Sequence, residues 1–182
     1  MAAKIQNNCE IAVMFFGLFR NFASVMRNPL SILRLLMKAK RPSRTVDMPA
    51  VSDTFWLRSG YEALTFFGFI VTHTQREADH INHHYDELKN HEMIHLRQAQ
   101  TTGDSWLWFY ILYSWYWMRG LCWSRRMKHA AYLLNPFEME AYKHMHDFSY
   151  VGQHREGADE WREYAKMNYE ERRAVYDSFM KR

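Results

Sequence analysis

His91-Glu92-Met93-Ile94-His95, inside LKNHEMIHLRQ (88–98), is where residue types and spacing in this chain could do chemistry. Residues four apart share one face of an α-helix, so His91 and His95 can present their imidazoles to a single ion while Glu92 projects beside it. Neutral imidazole suits Zn2+, and a catalytic zinc takes three protein ligands and keeps one position for water. The ion draws the pKa of that water toward ~7, and an adjacent carboxylate can take its proton as hydroxide attacks a carbonyl carbon. The competing reading is an amphipathic helix in which Met93, Ile94 and Leu96 pack and the histidines are ordinary polar residues. A glutamate beside the first histidine has a task only in the metal reading.

A third ligand should lie downstream on a separate element. NPFEMEAYKHMH (135–146) offers Glu138 and Glu140, which on a helix point in different directions and cannot both face one ion. Glu138 also has a second use. With Asn135 as cap and Pro136 in the first turn, it stands where a glutamate reaches back to the cap N–H. On spacing alone, Glu138 as ligand, Glu138 as cap and Glu140 as ligand stay open.

HEMIH followed by a carboxylate in E-x-E-A-Y resembles the gluzincin group of zinc metallopeptidases. The chain looks most like small bacterial metallopeptidases related to the membrane-bound antibiotic-sensor and prenyl-protein-protease types. The resemblance covers residues 65 to 150. It implies a Zn2+ cofactor, a peptide or protein substrate, and Glu92 as general base. In those relatives the ligand glutamate lies three residues before the alanine of an E-x-x-A-D pattern. Ala141 matches that alanine, so the resemblance implies His91, His95 and Glu138 as the ligand set. It also implies an apolar strand ahead of the HExxH helix that lines the cleft and pairs with substrate backbone. Tyr142 stands where the pattern has aspartate, which removes the carboxylate expected to orient a ligand histidine. Tyr142, His144, His146 and Glu140 are candidates for supporting a ligand or the tetrahedral intermediate. A non-catalytic alternative is a membrane-associated scaffold or regulator with a structural zinc. Four protein ligands close such a site, and His144 or His146 would be the fourth. His80, His83 and His84 read as a surface cluster.

The surrounding elements are mostly helical. With only 7 Gly and 4 Pro in 182 residues, 48% of them hydrophobic, turn-formers are too few for many short strands. The expected fold is mainly α, a helical bundle with a short strand or small sheet ahead of the HExxH helix. Three regions are expected: a basic apolar helical segment (1–53), the metallopeptidase-like core (54–150) and a polar C-terminal helix packed on it (151–182). Helices are predicted over 9–27 and, opened by Asn28-Pro29, over 29–39. A loop follows from Lys40 to Asp53. Thr65 to Thr72 is the best strand candidate, with buried helix as its rival, and Gln75 to Tyr85 is a polar, histidine-rich connection. Asp86 caps the HExxH helix, which ends near Gly103, and Asp104 caps the next. Trp123, Met127, Ala130, Ala131 and Leu134 form a further helical pattern. Asn135-Pro136 opens another helix, and Glu160 to Met180 reads as one polar, solvent-washed helix.

The charge of +4 is mild, but its distribution is not. Seven Lys and Arg and no Asp or Glu lie between Arg20 and Arg44, among Phe22, Met26, Leu33, Leu35 and Leu36. Such a segment suits an anionic membrane surface or closes the protein's own core with its apolar face. No nucleic-acid module is legible and the aromatics form an apolar stripe, so nucleic acid is not expected as a partner. Cys9 and Cys122 form no metal or redox spacing. Asn7, Asn8 and Glu10 ahead of the apolar patch Ile11 to Phe19 argue against a cleaved signal. The expectation is membrane association on the cytoplasmic side. Trp106 to Trp117 is aromatic on every side, and reads as a buried core helix, an interfacial helix or a span. A span needs about 20 apolar residues, and Arg119 and Gly120 cut this run short.

Overall fold

Asn28 accepts the amides of Leu30 and Ser31, and Pro29 occupies the first turn, so helix α1 (Pro29–Lys38) begins where the cap-proline pair predicts. The computed structural model describes residues 28–52, 63–127 and 129–180; the helix predicted over 9–27 lies outside them. The predicted loop after α1 holds a 3-10 turn (Pro42–Arg44) and a two-residue strand, β1 (Ala50–Val51).

The apolar run expected as one strand is two. β2 (Ala63–Phe66) and β3 (Phe69–Thr72) form an antiparallel hairpin, with Phe66 opposite Phe69. Its two-residue turn has both φ angles positive, 47° at Phe67 and 87° at Gly68, the type I′ geometry that matches strand twist. β1 runs parallel to β3 on the other side, so β2 is an edge of the three-stranded sheet.

Thr74 and Glu77 form a capping box that starts helix α2 (Gln75–His83) in the stretch expected as a connection. Ala78 and Ile81, three apart, are buried and seat it. Asp86 accepts the Lys89 amide at 2.9 Å and opens the HExxH helix, α3 (Glu87–Thr101). The cap of α4 (Trp106–Gly120) is Ser105, not Asp104. Asp104 has φ 52° and instead binds the backbone amide and hydroxyl of Ser43, both at 2.6 Å.

The pattern from Trp123 to Leu134, expected as one helix, is a 3-10 turn (Leu121–Arg125) and a short α5 (Ala130–Leu133), separated by His129 at φ 62°. Pro136 opens α6 (Pro136–His144) under an Asn135 cap. Three further helices follow: α7 (Tyr150–Gln153), α8 (Trp161–Lys166) and α9 (Tyr169–Met180). The single solvent-washed helix expected over 160–180 is thus two, and both bury residues: Trp161 and Tyr164, then Arg172 and Tyr176.

These elements make nine helices and a small sheet among the described residues, the mainly helical architecture that the composition implies. α3 is the central element, with Lys89 to Leu96, Gln98 and Ala99 all buried. α4 turns Trp106, Phe109, Tyr110, Tyr113 and Trp117 inward. At 15 residues it is about 22 Å long, short of the roughly 30 Å hydrocarbon core. Among the described residues no helix is long and apolar enough to cross a membrane.

Candidate metal centre

Two buried side-chain amides of α3 set its register against α6. Asn90 donates through Nδ2 to the carbonyls of His144 (3.3 Å), Met145 (2.8 Å) and Asp147 (3.1 Å), closing the C-terminal end of α6. Gln98 donates through Nε2 to the Phe137 carbonyl at 2.9 Å, at the other end. Held at both ends, α6 presents Glu138 to the face of α3 that carries His91 and His95.

The three residues form a buried group whose ligand atoms all lie within 4.8 Å of one another, and this group could hold a metal ion. His91 Nε2 is 3.3 Å from Glu138 Oε2, and His95 Nε2 is 3.5 Å from Oε1. Glu138 therefore does not reach back to cap α6. Asn135 accepts the Phe137 amide with its own side chain, and its Nδ2 donates to the Tyr113 carbonyl at 3.2 Å. Tyr113 holds Glu138 from the far side, its hydroxyl donating to Oε1 at 2.7 Å.

Glu138 is fully buried, and the histidines are each 4% exposed. Burial would raise the Glu138 pKa, but the imidazoles of His95 and His91 outweigh it and hold the carboxyl far below its ordinary range. Burial would likewise lower His95. The Glu138 carboxylate prevails, with smaller help from Glu92 and Gln98, and lifts the imidazole to about 9. The site thus attracts positive charge to a buried carboxylate. Nδ1 of His91 has no hydrogen-bond partner among the described residues, and Glu138 Oε2 has only the His91 imidazole at 3.3 Å; buried polar atoms left so are uncommon in folded proteins. A cation at the ligand atoms would satisfy Oε2.

Glu92 faces the same cavity as His95, Glu138, Tyr113 and Thr65, with Leu64 and Phe109 closing it. The Thr65 hydroxyl, from edge strand β2, donates to Glu92 Oε2. Tyr110 pins that strand: its hydroxyl accepts the Phe67 amide at 2.9 Å and donates to the Thr65 carbonyl at 3.3 Å. The cavity is small, and Tyr110 completes its wall.

Glu140, the alternative ligand, does not join the group. It accepts four hydrogen bonds, from the Tyr150 hydroxyl, the Gln98 amide and the backbone amides of Glu160 and Trp161. Through Gln98 it acts on the site, because Gln98 Oε1 lies 2.7 Å from His95 Nδ1. An acceptor there holds the proton on Nδ1 and leaves Nε2 free to face a metal. Tyr142 packs its ring edge-on to His91, centroids 4.8 Å apart, and shares a 3.0 Å hydrogen bond with the Tyr132 hydroxyl. His144 pairs with Glu160 at 2.6 Å and stacks on Tyr150. His146 pairs with Glu87 at 2.9 Å on the surface. Neither belongs to the metal group. His80 and His84 stack on each other, and His80 faces Asp86 at 3.5 Å, away from the centre.

Four contributors were not singled out in the sequence. Gln98 follows His91 and His95 at helical spacing on the same face, a signal available in advance. Asn90, Tyr113 and Thr65 had none, since their roles arise from packing between elements. Comparison with protein-family models, curated proteins and solved structures finds no match to this chain.

Proposed function

We propose that the chain is a zinc-dependent peptidase of gluzincin type, with His91, His95 and Glu138 as ligands and Glu92 as general base. The observation that carries this reading is Glu92, 1% exposed, beside the ligand group and lining the same cavity. A metal held only for structure has no use for a carboxylate there. One ligand atom from each of the three residues lies within 4.8 Å of the others, close enough for small side-chain shifts to bring them onto one ion. When bound, the ion would supply a Lewis acid and an acidified water at its open position.

The chain's own groups supply the rest. Glu92 takes a proton from the water and returns it to the leaving amine. Thr65 orients the Glu92 carboxylate, and Tyr113 and the Gln98–Glu140 pair fix two of the ligands. Among the described residues β2 is an edge strand beside the cavity, which suits an extended peptide adding as a strand through backbone hydrogen bonds.

The burial of His91, His95 and Glu138 favours a second reading, a structural or vestigial metal in a non-catalytic protein. One experiment separates the two. Metal content is measured by elemental mass spectrometry on wild type, His95→Ala, Glu138→Ala and Glu92→Gln, together with cleavage of a quenched-fluorescence peptide library. About one zinc per chain, lost in the first two variants and kept in Glu92→Gln with hydrolysis abolished, supports the peptidase. Zinc bound with no hydrolysis by wild type supports the structural reading. Hydrolysis that survives Glu92→Gln removes Glu92 as base.

A further inference from the structure

The two faces of α4 are both apolar, and among the described residues only one is used by the fold. Trp106, Phe109, Tyr110, Tyr113 and Trp117 are buried. Leu107, Trp108, Ile111, Trp115 and Met118 are 42–61% exposed. Their spacing of three and four residues places them in one stripe on the side opposite the metal centre. A continuous exposed stripe with two tryptophans is more than scattered surface apolarity and marks an interaction site.

Charge identifies the occupant. From Ser105 to Phe137 the sequence has no Asp or Glu, while Arg119 stands exposed in the last turn of α4 and Arg126 lies exposed just beyond it. At the other end of α4, Trp106 Nε1 donates to the Lys40 carbonyl at 2.9 Å, and Asp104 holds Ser43. Lys40, Arg41 and Arg44, all exposed, are thereby fixed beside the helix N-terminus. Of these cations Arg126 pairs with Glu170 at 3.2 Å. Apolar and tryptophan side chains flanked at both ends by cations match the interface of a bilayer with anionic headgroups. Two copies of the chain meeting through this face would set like charges together, which opposes a dimer.

We infer that the outward stripe of α4, with the basic residues at its two ends, docks the protein on an anionic lipid surface while α4 lies in the interface without crossing. The inference stands apart from the catalytic reading. It places the membrane on one side of α4 and the metal cavity on the other.

The test is co-flotation of the full chain with phosphatidylcholine vesicles with and without phosphatidylglycerol, for wild type and the Trp108→Ser/Trp115→Ser double variant. Circular dichroism and thermal melts verify that the variant folds, which exposed positions favour. The expected result is binding to the anionic vesicles alone, weakened by salt and weakened about tenfold or more in the variant, because binding scales with the apolar area inserted. Brominated lipid should quench wild-type tryptophan fluorescence more than that of the variant. Absence of vesicle binding by wild type would overturn the inference. So would equal binding by the two proteins, which would move the docking surface elsewhere in the chain. A wild-type dimer in lipid-free solution that becomes monomeric in the variant would also overturn it and assign the stripe to a second copy.

Discussion

Glu140→Gln probes the network behind His95 with almost no change of shape. Glu140 is fully buried and all four of its partners are donors. Oε1 takes the Tyr150 hydroxyl (2.7 Å) and the Glu160 amide (3.0 Å), and Oε2 takes the Gln98 amide (2.8 Å) and the Trp161 amide (3.2 Å). Burial holds the Glu140 pKa above its ordinary value and these donors offset it only in part, yet every one of the four hydrogen bonds needs an acceptor oxygen. A glutamine keeps one oxygen and sets an NH2 group against two donors. The Tyr150 hydroxyl can rotate to accept, but a backbone N–H cannot, so at least one buried donor loses its acceptor and faces another. Unsatisfied buried groups cost about 1–3 kcal/mol each, and with partial relaxation of the glutamine the loss is taken as about 2–4 kcal/mol. At about 2–4 °C per kcal/mol for a chain of this size, the melting temperature should fall by about 4–16 °C. Gln98 is also loosened, so zinc affinity should drop about 10- to 100-fold, or about 1.4–2.8 kcal/mol, while saturating zinc still fills one site per chain. The assay pairs thermal melts in chelator and in zinc with a competition titration against a chromophoric chelator. A variant that melts like wild type would refute the buried network. Loss of the site at saturating zinc would make Glu140 a ligand and refute its placement behind Gln98.

Tyr113→Phe removes the hydroxyl that donates to Glu138 Oε1 at 2.7 Å. Zinc affinity in the same titration should fall about tenfold, with stoichiometry unchanged. Glu160 should govern part of the acid limb of stability. Burial would raise its pKa, but hydrogen bonds from His144, Lys143 and Tyr164 outweigh burial and lower it from 4.5 to about 2. A folded-state value below the unfolded one means the contribution is present above about pH 4.5 and lost as pH falls toward about 2. Urea midpoints measured across that window should therefore decline less in Glu160→Gln than in wild type. Gly120→Ala should destabilise by about 1–3 kcal/mol in a thermal melt, because an added Cβ would stand 2.8 Å from the Ala131 Cα, which is backbone and cannot turn away.

Helix starts were legible where a side chain acts within its own turn. Asn28-Pro29, Asp86 and Asn135-Pro136 open helices as their chemistry predicts, because a cap needs only the next three residues. The same local logic failed at Asp104, whose carboxylate is occupied by Ser43 across the fold. It failed again at Phe67-Gly68, where one glycine inside an apolar run marks the turn of a hairpin. The His91–His95–Glu138 group, which could hold a metal ion, was legible in part. Two of its members share one helix, but the choice between Glu138 and Glu140 turns on how α6 is rotated against α3. Asn90 and Gln98 set that rotation, and no spacing within 135–146 encodes it.

α4 shows why periodicity can hide a role. A helix apolar all round has no hydrophobic direction, so sequence alone leaves buried, interfacial and spanning readings side by side. Packing breaks the tie. Tyr110 and Tyr113 go inward because each has a hydroxyl with a buried use, Tyr110 on the β2–β3 turn and Tyr113 on Glu138. Trp108 and Trp115 remain outside, 57% and 53% exposed. The polar tips of the inward tyrosines are what bring the aromatic helix to the metal centre. Phenylalanines in their place would keep the rings and leave both Glu138 and the β2 turn without a donor or acceptor from this side. The aromatic richness of 106–117 is therefore two requirements on one element: phenol hydroxyls for the site within and indoles for a surface without.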